Sequence, residues 1–313
     1  MPSVVIVAGP TASGKSALAL AIAEEFRGTV INADSMQVYR DLRILTARPG
    51  ADAEARAPHR LYGVIDAAES CSAGRWRALA LAEIAAAREA GRIPVLAGGT
   101  GLYLHAFSHG LAAVPPVPEE TRQAARALHA ALGGAAFRAR LAERDPAAAA
   151  RLPAGDTQRL VRAWEVVTAT GRPLADWQRL DAPVAAPALT AIVLLPPRDV
   201  LYAACDARVL AMVERGAIDE VAALRTRCLP PTLPAMKAVG VREFALYLDG
   251  RTSRDDAIAA VQQATRRYAK RQYTWLRHRM AGLRPLAIEA QFSESLLPGI
   301  FSFIRQSLLT AKI

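Results

Sequence analysis

The chain has 313 residues, 52% of them apolar and 22% charged, with a formal net charge of +10. That is enough apolar material for one large core or two moderate ones. No run approaches the ~18 apolar residues a membrane helix needs, and the N-terminus enters a strand without a basic segment and cleavage site, so neither a membrane span nor a secretory leader is expected. Cys71, Cys205 and Cys228 are far apart and form no C-x-x-C pair. This argues for reduced thiols in a cytoplasm and against a zinc site.

In chain order, residues 4–8 predict a short buried strand and residues 17–26 a helix. Between them lies Gly9-Pro10-Thr11-Ala12-Ser13-Gly14-Lys15-Ser16, which fits the phosphate-loop pattern G-x-x-x-x-G-K-[ST] at every fixed position. Strand, glycine loop and helix start together aim backbone N–H groups and a positive dipole end at an anion. Lys15 is placed to neutralise phosphate oxygens, and Ser16 to ligate Mg²⁺.

A second strand over 29–33 ends at Asp34-Ser35-Met36-Gln37-Val38-Tyr39, 18 residues beyond the loop. A helix over 76–90 and a strand over 93–97 follow, the latter running into Gly98-Gly99-Thr100-Gly101. This alternation predicts an α/β fold with a parallel sheet and ligands at the strands' carboxyl ends. Asp34 and Thr100 both occupy such ends and are therefore expected to converge on the phosphate loop.

Pro115, Pro116 and Pro118 interrupt the alternation, and from 119 to about 181 the sequence reads as all helix. A Pro/Ala stretch over 183–187 closes it, a strand resumes over 189–195, and helices are expected from there to the end. The predicted organisation is a core in two parts, 1–114 and 188–313, with a helical insertion, 115–187, hung on two linkers and able to swing.

Between Ala257 and Arg284 there are seven Lys/Arg and no Asp or Glu. On a helix, Arg266, Lys270 and Arg277 share one stripe. Interleaved with Tyr268, Tyr273 and Trp275, such a face suits a polyanion whose bases can stack.

A phosphate loop is compatible with ATPase or kinase chemistry, with Asp34 as a metal-binding carboxylate. Yet the strand over 93–97 ends in Gly-Gly-Thr rather than in a carboxylate, an arrangement better suited to holding a diphosphate and a polar nucleophile. The loop, then A-D-S-M-Q-V-Y-R, then G-G-T-G-L-Y resemble the tRNA dimethylallyltransferase family. So do Asp156-Thr157-Gln158-Arg159-Leu160-Val161-Arg162-Ala163, residues 237–242 and Ala269-Lys270-Arg271-Gln272-Tyr273-Thr274-Trp275-Leu276-Arg277. The resemblance implies transfer of a dimethylallyl group from its diphosphate to N6 of adenosine 37 beside the tRNA anticodon, with Mg²⁺ as cofactor.

By that resemblance Asp34 is the general base, and Thr100 and Arg208 join the phosphate loop in catalysis. Asp34, Ser35, Met36, Gln37, Thr100, Arg122, Gln158, Arg159, Leu160, Val161, Arg162, Lys237, Arg242, Lys270, Arg271, Gln272 and Arg277 are implied tRNA contacts. Gln37 and Ser35 are also suited to reading adenine's edges. The expected partners are the tRNA anticodon stem-loop and dimethylallyl diphosphate, with no membrane, for a protein working as a monomer. The chain departs from the family pattern at Leu45, Arg48, Gly63, Cys71, Ala204 and Val241. It lacks a C-terminal Cys/His finger, which points to the bacterial type.

Overall fold

A computed structural model describes residues 4–180 and 189–310. The described part forms two compact units, the first crossing between them falling after Ser108. The expected linker at 183–187 lies outside the described residues.

The larger unit is built on a six-stranded parallel sheet. Its strands are β1 (Val4–Ala8), β2 (Gly28–Asn32), β3 (His59–Arg60), β4 (Ile93–Gly98), β5 (Leu189–Leu194) and β6 (Leu286–Ile288), in the order β3-β2-β4-β1-β5-β6. All five strand pairs are parallel. β1 is fully buried along its length, as is β2, because helices cover both faces; a parallel strand in that setting reads as a continuous apolar run. The strands over 4–8, 29–33, 93–97 and 189–195 are found to within a residue at each end. β3 and β6 were not expected. The region after residue 195, expected to be helical throughout, contains β6 at the sheet edge against β5.

Two cores flank the sheet. On one face Trp76, Leu104 and Phe244 are fully buried with Ile6, Ile31 and Leu96. The Trp76 ring stacks on Tyr103 with centroids 4.4 Å apart, and its Nε1 donates to the Asn32 carbonyl at 2.8 Å. On the other face, helix Lys15–Glu25 buries Leu18, Ile22 and Ala23 against Val5, Val7 and Val95, with Ile300 and Ile304 of helix Leu297–Thr310 behind them. Each buried Val, Leu, Ile or Phe among these contributes roughly 1.5–3 kcal/mol on leaving water.

Among the described residues, the regular elements of the smaller unit are all helices, as expected: Glu119–Ala142, Pro146–Arg151, Thr157–Thr170 and Leu174–Leu180. Its punctuation has local causes. Gly133 adopts φ +71° and kinks the first helix. Asp145 and Asp156 cap the next two, accepting from Ala148 N at 2.9 Å and Arg159 N at 3.3 Å. Phe137, Leu141, Leu160 and Trp164 form its core.

Candidate active site

The phosphate loop leaves β1 and closes on helix Lys15–Glu25. Gly14, at φ +87°, is the residue that turns the chain into the helix. Gly9 has a steric reason, since a Cβ there would stand 2.4 Å from Ser13 Oγ. Ser13 is fully buried and its Oγ has no hydrogen-bond partner among the described residues. Lys15 is also buried, with Nζ donating to the Pro10 carbonyl at 3.3 Å. Burial pulls the Lys15 ammonium down to about 8; Asp34 opposes the shift and the Arg208 guanidinium adds to it. Burial likewise lowers Arg208, against the attraction of Asp34. Arg208 Nε is buried without a partner among the described residues. Two crowded cations and an orphaned hydroxyl fit a site that binds an anion.

Asp34 is presented by a buried bracket that sequence reasoning missed. Asn32, fully buried at the end of β2, accepts from Asp34 N at 2.8 Å through Oδ1. Its Nδ2 donates to the Asp34 and Leu61 carbonyls at 3.0 and 3.1 Å. Truncating it would leave several buried groups unpaired, at about 1–3 kcal/mol each. The available signal was an amide side chain ending an otherwise apolar strand. Asp34 Oδ1 then accepts from Met36 N at 2.9 Å, closing a turn that does not use Oδ2. The next strand end joins the same place: Thr100 Oγ1 accepts from Ser35 N at 2.9 Å and contacts the Tyr268 hydroxyl. The expected convergence of Asp34, Thr100 and the phosphate loop is therefore present.

One cavity of about 210 Å³ holds this chemistry. Thr11, Asp34, Ser35 and Arg208 are among its polar lining, and Leu45, Val209, Met212 and Val261 among its apolar lining. The wall formed by Leu45 and Thr46 is fixed from outside. Glu220 accepts from Arg43 N, Ile44 N and Leu45 N at 2.6–2.8 Å. Gln37 Nε2 donates to the Thr46 and Ala47 carbonyls at 2.8 and 3.2 Å. Gln37 is buried, and its amide nitrogen is committed to the loop.

Three of the departures from the family pattern have close steric neighbours: Arg48 and Gly63 meet each other, and Leu45 meets Gly240. Leu45 packs against Gly240, where a Cβ would lie 2.6 Å from Leu45 Cδ2. The Arg48 guanidinium fills the space beside Gly63, so a side chain at 63 would meet Arg48 Nη1 at 2.0 Å. Arg48 also donates to the Tyr39 and Arg40 carbonyls at 3.1 and 3.2 Å. Leu45 and Arg48 thus each sit opposite a glycine.

The expected nucleic-acid contacts separate into two groups. Lys237, Arg242, Lys270, Arg271 and Arg277 are exposed on the larger unit. Lys270, Arg271 and Trp275 line a groove on helix Arg254–Arg279 together with Arg267, His278 and Arg279. In the smaller unit Gln158 and Arg159 are exposed, while Arg122 and Arg162 are half-buried beside Glu119 and Glu165. Leu160 and Val161 turn their side chains into that unit's core. Gln272 is buried as well and is spent on backbone partners. Arg266, expected on the basic stripe, is paired with Asp206 of helix Arg198–Glu214, so the stripe is not wholly without acidic partners. The aromatic residues expected to stack on bases already have neighbours: Tyr268 carries Arg271 over its ring and Trp275 packs on Gly101.

For Mg²⁺, Ser16 stands exposed at the start of its helix, as a ligand needs. No group of three or more His, Cys, Asp or Glu able to hold a metal occurs among the described residues. This donor set fits a magnesium ion that keeps most of its waters and arrives with phosphate oxygens. Among the described residues, no helix is long and apolar enough to cross a membrane.

Known proteins with this arrangement agree with one another. A model of the IPP transferase family matches residues 37–279. A tRNA dimethylallyltransferase of Rhodospirillum centenum is 58% identical, covering 90% of each chain. One of Rhodospirillum rubrum is 57% identical over 98% of this chain and 95% of its own. Among solved structures, the full-length tRNA isopentenylpyrophosphate transferase of Bacillus halodurans superposes with a TM-score of 0.73 at 33% identity, covering 100% of this chain and 98% of that one. A eukaryotic dimethylallyltransferase acting on tRNA superposes with a TM-score of 0.77 at 25% identity, over 92% of this chain and 74% of the other. Matched across most of its length by the family model and by relatives more than half identical, the chain belongs to the IPP transferase family.

Proposed function

We propose that the protein transfers a dimethylallyl group from dimethylallyl diphosphate to N6 of adenosine 37 beside a tRNA anticodon, releasing diphosphate. The observation that supports this most directly is the single cavity shared by Asp34, Thr11 and Arg208. Adenine's exocyclic amine is a weak nucleophile because its lone pair is delocalised into the ring. As the N6–C1 bond forms and the C1–O bond breaks, Asp34 accepts the N6 proton, and the leaving diphosphate takes the electron pair. Lys15, Arg208 and the loop N–H groups meet the growing negative charge. Ser16 is the group that would hold Mg²⁺, which would add further positive charge at the diphosphate. Adenine must leave its stack to enter, as RNA-modifying enzymes generally require, and unpaired loops permit this.

The exposed cations of helix Arg254–Arg279 are proposed to track the tRNA backbone, with Arg122, Gln158, Arg159 and Arg162 of the helical unit as further contacts. A cytoplasmic monomer is the proposed working form. Lys270→Ala is expected to weaken tRNA binding and reduce the log–log salt slope by about one. Affinity measured across a salt series checks this, and an unchanged slope removes Lys270 from the interface.

The depressed Lys15 gives a pH signature. Its ammonium is charged below about 8 and neutral above. A diphosphate binds the charged form better, so the donor KM should be flat below that pH and rise above it. Steady-state donor KM values from pH 6.5 to 9.5 would test the sign. The reaction itself is tested by incubating unmodified tRNA with labelled dimethylallyl diphosphate and Mg²⁺, then digesting to nucleosides. Label on adenosine is expected. ATP consumption with phosphoryl transfer and no prenylated nucleoside would instead mark a kinase.

A further inference from the structure

Helix Arg254–Arg279 buries a stripe at Ala257, Val261, Thr265, Ala269, Gln272 and Leu276. The spacing is that of a core-facing helical seam. A long amide at such a position is costly unless both of its ends are satisfied. Gln272 is 6% exposed and both ends are satisfied by chain-distant backbone. Its Oε1 accepts from Thr11 N at 2.8 Å, inside the phosphate loop. Its Nε2 donates to the Gly99 carbonyl at 3.0 Å, one residue before Thr100. The fit leaves no slack: a Cβ on Gly99 would lie 2.4 Å from Gln272 Nε2 and 2.8 Å from the Gly9 carbonyl. One helical turn earlier, Tyr268 reaches Thr100, whose Oγ1 holds the backbone beside Asp34.

We propose that Gln272 is a positioning residue for the transfer reaction, setting the separation between the diphosphate cradle at Thr11 and the acceptor end at Thr100 and Asp34. The proposal rests on the reaction described above. Gln272 touches neither reactant. It ties together the two loops that hold them, and an in-line displacement depends on that spacing: a misplacement of about 1 Å costs about 100-fold in rate. The same residue lies on the helix whose opposite face carries Lys270 and Arg271, so the spacing is referenced to the proposed tRNA-binding element.

The test compares wild type with Gln272→Met, which keeps the length and removes both hydrogen bonds, and Gln272→Glu, which keeps the acceptor for Thr11 and loses the donor to Gly99. Single-turnover transfer is measured at saturating tRNA and saturating dimethylallyl diphosphate, alongside tRNA Kd and amide hydrogen exchange. Gln272→Met should transfer about 10- to 100-fold more slowly, with tRNA Kd unchanged and faster exchange at Thr11 N–H. Gln272→Glu should also be slow, while Thr11 remains protected. If Gln272→Met fails to fold, Gln272→Glu carries the comparison. Wild-type rates in a folded variant would overturn the proposal. So would a defect that disappears as tRNA is raised to saturation, since Gln272 would then act through tRNA affinity. A wild-type protein that prenylates no tRNA overturns the reaction instead, before any variant is compared.

Discussion

Asp34→Asn is expected to slow prenyl transfer by about 10²–10⁴-fold, the range associated with loss of a positioned general base. Asparagine is the informative replacement because its amide oxygen can still accept from Met36 N, as Oδ1 does at 2.9 Å, so the turn survives. The Asn32 bracket holds the backbone of residue 34 and is also undisturbed. What disappears is the proton acceptor and a negative charge near Lys15 and Arg208. Loss of that charge removes a repulsion on the anion but also a group that keeps Lys15 charged, two opposed effects on donor KM, so the decisive change is in kcat, which should collapse. tRNA affinity should stay nearly intact, because the polyanion is held mainly by exposed cations elsewhere. Steady-state kinetics with a tRNA-binding measurement separates these effects. Wild-type turnover in Asp34→Asn would remove the carboxylate from the mechanism.

Lys15→Met should cost about 10²–10³-fold in kcat, the usual effect of deleting one preorganised group that meets developing charge. The ammonium is buried and held by the Pro10 carbonyl, so it is aimed before the donor arrives and needs little reorganisation. Donor KM should rise, since one of two crowded cations is gone, and tRNA Kd should not change. The rise in donor KM above about pH 8 should vanish together with the group that causes it. An unchanged donor KM would mean that the diphosphate lies elsewhere. Methionine fills the lysine's volume without its charge, so the variant reports on electrostatics more than on packing.

The parts of the site that were legible in advance are local ones. The phosphate loop is eight consecutive residues whose backbone course is dictated by Gly9 and Gly14, and both glycines have steric or conformational reasons in the structure. The four longer strands announced themselves as apolar runs because a parallel sheet covered on both faces demands them. β3 and β6 stayed hidden because two or three residues at a sheet edge carry no measurable period. Leu160, Val161 and Gln272 bury their side chains because a run of residues resembling a contact motif includes those that hold the helix in place.

Taken alone, the amino-acid order determined the fold class, the anion cradle, the carboxylate and hydroxyl at successive strand ends, and the helical nature of the insertion. Each follows from chemistry within a few residues of chain. Tertiary structure decided which polar side chains brace the site. Asn32 reaches Leu61, Glu220 reaches Arg43 to Leu45, Arg266 finds Asp206, and Gln272 spans from Thr11 to Gly99. Those partners lie from 29 to 261 residues apart, and a hydrogen bond requires heavy atoms within about 3 Å, a proximity that only the closed sheet and its covering helices create.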